Sequence, residues 1–176
     1  MTEPRQPSRN DVRQVAAYLI ALRALVDEAS TSRAAWIRQL GTLLKDARAD
    51  GDRDALAREA ARIGDEQGAH FREFRRRLDQ LQPPAMCQDI HLIAAGWIEK
   101  QSAACDVMVD VGQSGDLAAL RETQGLLAEG RDDSRRFSTA YAELVAWLKE
   151  RLASTAKKGQ GRRNPLGGLR WPLRRR

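Results

Sequence analysis

The chain holds two histidines, His70 and His91, and two cysteines, Cys87 and Cys105, so any metal or acid–base chemistry must draw on these and on its carboxylates. A di-iron carboxylate centre between helices needs paired inward Glu residues and two Glu-x-x-His motifs. Here Glu66 stands four residues before His70, the wrong spacing, and the first Glu after His91 is Glu99. The two histidines read as packed core or boundary residues, about 8 Å apart along helix axes, too far for a shared metal. There is no His-Glu-x-x-His, Cys-x-x-Cys, phosphate loop or Gly-x-Ser-x-Gly. These residues predict a protein that is not an enzyme, with no catalytic residues, no metal and no cofactor.

Two other sets of residues invite a binding role. The first is polar: Arg33, Gln67, His70, Trp97, Gln101 and Arg131 fall where apolar stripes are interrupted. The second lies in "KKGQGRRNPLGGLRWPLRRR", residues 157–176, which carries eight basic residues and no acid. That leaves 22 basic against 24 acidic residues in 1–156, a net charge of −2, although the whole chain is +6. The excess positive charge therefore resides in the C-terminal segment.

The elements that must position these groups are helices. After a short lead with Pro4, Pro7 and a candidate N-cap at Asn10, apolar residues recur in steps of three and four: Val12, Val15, Leu19, Leu22, Val26, Ala29, then Trp36, Leu40, Leu43 and Ala47. This spacing predicts one long amphipathic helix broken only by Arg33. "ADGDRD" at 49–54 is a turn, and a second helix follows from about Asp54 to Leu81. "QPPA" at 82–85 stops it and opens a third through Cys87, Ile90, Ala94, Trp97, Gln101, Ala104, Met108 and Val111. "GQSGD" at 112–116 precedes a fourth on Leu117, Leu120, Leu127, Tyr141, Val145, Leu148 and Leu152, expected to end near Ala156. No strand is predicted.

Short connections between long helices favour antiparallel neighbours, so the fold class is all-α, an up-down-up-down four-helix bundle. The predicted organisation is a disordered lead at 1–10, the bundle at 11–156 and a flexible basic tail at 157–176. "DGDRDAL" at 50–56 is similar to "SGDLAAL" at 114–120, which suggests two related helical hairpins. Counting outward from each turn places Trp36 against Gly64 and Trp97 against Gly130, as though glycine made room for each indole. The same counting sets Arg33 against Gln67, and His70 and Arg131 near Trp97, with Gln101 one turn away. Buried arginines must be paired or solvated, so Glu66, Glu99, Glu129 or Asp132 is expected beside Arg33 and Arg131. Such a layer would either fix helix register or hold a small ligand or anion.

In the tail, Leu166, Leu169, Trp171 and Leu173 are interleaved with Arg162, Arg163, Arg170 and Arg174. Solubility alone does not require those large apolar groups. They read as anchors on another protein or an acidic surface, with arginine steering the approach. A nucleic acid, held at its phosphates with Trp171 stacked on a base, and an anionic membrane are the alternatives. The "FREFRRRLDQL" cluster at 71–81 supplies Arg72, Arg75, Arg76 and Arg77, either a solvated helix face or an added binding surface. "PLGGLR" at 165–170 resembles the Gly- and Leu-containing C-terminal peptides that load cargo into encapsulin shells, over six residues and with spacing that departs from their Gly-Ser-Leu pattern. The resemblance belongs with the protein-partner reading.

No apolar run approaches the roughly 18 to 20 residues of a membrane span. Val15 to Val26 is interrupted by Arg23 and reads as helix, not as an export signal. Cys87 and Cys105, 18 residues apart on one helix, lie about 27 Å apart and cannot pair within a chain. Two buried thiols with no export signal imply a cytoplasmic protein. The long first and fourth helices suggest a homodimer. The expected function is thus a non-catalytic helical-bundle interaction or adaptor protein docking through its tail, with ligand binding at the polar layer as the alternative.

Overall fold

Ser8 and Asp11 begin the structure with a reciprocal cap. The Ser8 N–H donates to Asp11 Oδ2 at 2.7 Å, and the Asp11 N–H donates to Ser8 Oγ at 3.2 Å. This box satisfies two donors that a helix start leaves unpaired, so helix α1 begins at Arg9 and takes in Asn10, which is not its cap. The computed structural model describes residues 8–49 and 51–160. Within them lie α1 (Arg9–Arg48), α2 (Arg53–Asp79), α3 (Gln88–Ser114) and α4 (Leu120–Gln160), with single 3-10 turns at Ala85–Cys87 and Leu117–Ala119.

Each connection is built from local chemistry. The Asp52 side chain accepts from the N–H groups of Asp54 and Ala55 at 3.0 and 3.3 Å, opening α2. Pro83 and Pro84 separate α2 from α3, since proline cannot continue a helix interior. Gly115, at φ +70°, ends α3 in the left-handed conformation that glycine adopts without strain, and its N–H donates to the Val111 carbonyl at 2.9 Å. Helix α4 runs through Gly159 to Gln160, beyond the expected stop near Ala156. One glycine costs a helix about 1 kcal/mol, which is not enough to end it.

The four helices form an all-α antiparallel bundle, and no strand occurs among the described residues. Glu28 pairs with Arg77 and Gln39 with Gln67 between α1 and α2, and Lys100 with Asp133 between α3 and α4; in each case the chains run in opposite directions. The core is Leu19, Leu22, Trp36, Ile63, Phe71, Leu78, Ile90, Ile98, Met108 and Leu120, all but sealed from solvent. Leu152, read as part of the α4 stripe, is instead 57% exposed.

Packing is uneven around the bundle. Helices α2 and α3 approach most closely, α3 and α4 next, and α1 and α4 come near each other at only a few positions. Glycine explains the tight pair. A Cβ on Gly64 would lie 2.6 Å from the Cys105 carbonyl oxygen, and one on Gly112 would strike the Ala61 methyl. Gly64 therefore makes room for the backbone of α3 and not for Trp36. The Trp36 ring stands edge-on to Phe71 at 5.7 Å, and its N–H donates to Met108 Sδ at 3.3 Å.

No helix among the described residues is long and apolar enough to cross a membrane. Cys87 and Cys105 are both buried and free, and burial pushes the Cys105 thiol up to about 12.

Candidate functional site

The predicted polar layer divides into two groups. On the α1–α2 side, the Ser32 hydroxyl donates to Gln67 Oε1 at 3.4 Å and lies 3.5 Å from His70 Nδ1, while the Gln67 amide donates to Gln39 Oε1 at 3.3 Å. His70 is exposed. Ser32, one residue from Arg33, is what faces Gln67, because each helical step turns the side chain by about 100°.

Arg33 turns the other way, toward α3. Its Nε–H donates to Gln101 Oε1 at 3.1 Å, and Gln101, wholly buried, returns an amide N–H to the Trp97 carbonyl at 3.4 Å. The Gln101 amide lies against Gly130 of α4, where a Cβ would collide with it and would touch Trp97 Cδ1 at 3.7 Å. Trp97 and Gly130 are therefore together, as the spacing predicts, with Gln101 sharing the space. Arg131 follows directly. The cation–π contact of Arg23 with Tyr141 sets the α1–α4 register. Ten residues along α1 and ten back along α4 bring Arg33 and Arg131 to one level. Burial and the charge of Arg131 both lower the Arg33 pKa.

The expected carboxylate partners are elsewhere. Glu66 binds Arg62, Glu99 binds Arg75, Asp132 binds Arg135, and Glu129 lies 3.9 Å from Lys100. Helix-surface acids are captured by arginines three or four residues away on their own helix, or by the nearest cation on the next one. Among the described residues neither Arg33 nor Arg131 has an acidic partner. Close by, the Trp97 indole N–H is buried without an acceptor, an arrangement that costs about 1–3 kcal/mol. A cavity of about 10 Å³, lined by Val26, Ala94, Trp97, Ser134 and Phe137, opens beside the ring.

Comparison with family models, curated proteins and solved structures finds no match. The site must be read from its own residues. Among those described, no group of three or more His, Cys, Asp or Glu is placed to hold a metal ion. His91 Nδ1 lies 2.9 Å from the Tyr18 hydroxyl, a boundary pair that closes the start of α3 onto α1.

Arg72, Arg75, Arg76 and Arg77 are each tied to carboxylates, at Asp106, at Asp79 and Glu99, at Glu73, and at Glu28. A buried ion pair went unread in the sequence: Asp133, 7% exposed, accepts from Lys100 Nζ at 2.5 Å and from Arg136 at 3.4 Å. Its signal, an acid at an α4 position on the face shared by Gly130 and Phe137, is hidden in the charged run "RDDSRR". The tail residues Arg162, Arg163, Leu166, Leu169, Arg170, Trp171, Leu173 and Arg174 lie outside the described residues.

Proposed function

We propose that this is a non-catalytic helical-bundle interaction protein that docks onto an acidic groove of another protein through its C-terminal Leu/Trp/Arg segment. The observation that carries this reading is the partition of charge, eight basic residues and no acid in 157–176 against a body of net −2. The internal neutralisation of Arg72, Arg75, Arg76 and Arg77 supports it, because those cations are already engaged within the bundle. Arginine supplies long-range attraction, and leucine and tryptophan supply the desolvated anchors that fix a partner.

The test compares the full chain, a 1–156 truncation, and a full-length Leu169→Ser/Trp171→Ser double variant that keeps every charge. Partner capture should fail for the truncation and for the double variant, while all three keep the same thermal unfolding of the bundle. Equal capture by the truncation would sink the reading, as would equal capture by the double variant. Binding to anionic vesicles or to nucleic acid at the same affinity as to protein would replace the acidic groove with those surfaces.

A further inference from the structure

We infer that the cleft at the α1–α2 turn, rimmed by Arg48, Arg53 and Arg121, binds a small organic carboxylate by both its charged head and an apolar body. The proposal does not rest on the C-terminal segment. The cleft has a volume of about 670 Å³ and is lined by the end of α1, the start of α2, the 3-10 turn before α4 and the first residues of α4. That size falls within the roughly 300–1,000 Å³ usual for small-molecule sites. Leu44, Leu56, Leu117 and Leu120 supply the apolar part of the wall, Leu56 and Leu120 buried and the other two partly so. Helices α1 and α4, which approach each other at only a few positions, both line it.

Gly51 folds the chain back so tightly that a Cβ there would lie 3.1 Å from the Asp46 carbonyl oxygen, and Arg48 and Arg53, on either side of the turn, line one cleft. Arg121 joins them from α4. Among the described residues none of these arginines has an ion-pair partner, and no carboxylate lines the cleft. The acids at the two helix starts are used locally: Asp52 caps α2, and Asp116 caps the turn before α4. Arg53 and Arg121 also stand where a positive charge is disfavoured. Arg53 is the first residue of α2 and Arg121 the second of α4, and the positive end of a helix dipole repels a cation. Only Arg48, in the last turn of α1, suits its helix. Two breaches of one local rule at the same cavity, with no acid to offset them, mark a place where an incoming anion supplies the missing charge. Guanidinium groups match the fork of a carboxylate, and the leucines beside them select one that carries an apolar body.

The experiment titrates the full chain by calorimetry, at one ionic strength, with sodium octanoate, with sodium acetate, which has the head without the body, and with octanol, which has the body without the head. Octanoate should bind about tenfold or more tightly than either. Arg53→Gln and Arg121→Gln should each weaken octanoate binding by about fivefold or more. Without ligand both should melt at or above the wild-type temperature, because each removes a cation from a helix start. Ala118→Trp, at an exposed position on the cleft wall, should block binding and leave the fold intact. Arg135→Gln, an equal charge change outside the cleft, should bind as wild type. So should the Leu169→Ser/Trp171→Ser double variant, which separates this site from the docking reading. Octanoate binding no tighter than that of acetate or octanol would overturn the assignment. Undiminished binding in Ala118→Trp or in the two arginine variants would do the same, as would a loss in Arg135→Gln or in the double variant.

Discussion

His91 shows how one residue's surroundings set a measurable property. Burial against α1 holds its imidazole below the ordinary value, with Asp79 pulling upward and Arg75 downward as smaller effects. The unfolded chain therefore binds a proton there more readily than the folded one. The resulting stability is complete above the unfolded value of about 6.5 and is lost as pH falls through the folded value. Melting temperature should decline between about pH 6.5 and 5 in wild type, and less steeply in His91→Gln once other groups are accounted for. Equal slopes in the two proteins would refute that assignment. Residue roles were legible in the sequence where type or spacing settled them: both cysteines buried, His91 at a boundary, and Gln101 on the buried stripe of α3 by its spacing. Partnerships were legible only in part: Trp97 does meet Gly130, but elsewhere a one-residue change of position, which rotates a helical side chain by a quarter turn or more, changes the partner. Ser32 thus meets Gln67 where Arg33 was expected, and Arg33 is left facing Gln101 and Arg131.

At the scale of elements, the heptad spacing disclosed four helices and their order, since Pro83–Pro84, Gly115 and the capping aspartates punctuate the chain locally. The closeness of α2 to α3 was not legible. Gly64 and Gly112 fit that role only once the rotation of both helices is known, and counting from the turn assigned Gly64 to the wrong neighbour. Gly112→Ala should destabilise the protein by about 1–3 kcal/mol, because its methyl has no space beside Ala61 and backbone must shift. Gly125→Ala, with nothing within 4 Å of the new methyl, should be neutral or slightly stabilising through helix propensity. Denaturant unfolding of the two variants reads the difference. Equal midpoints would show that the α2–α3 approach is not limited by side-chain volume.

For the whole molecule, net charge is a sum over two unlike parts. The full chain, at +6, should be retained on a cation exchanger at pH 7, whereas residues 1–156, at −2, should pass through and be held instead by an anion exchanger. Retention of both forms on the cation exchanger would mean that the bundle presents its own cationic face. The glycine-lined contact between α2 and α3 carries a further consequence, one of symmetry. Two equal hairpins related by a two-fold axis would make the α2–α3 and α4–α1 interfaces copies of one another. Here one is the closest in the bundle and the other the most open, so whatever likeness the two turns retain, the axis is gone. The α2–α3 contact then joins the two hairpins along one edge, and the bundle is least closed on the opposite edge, between α1 and α4.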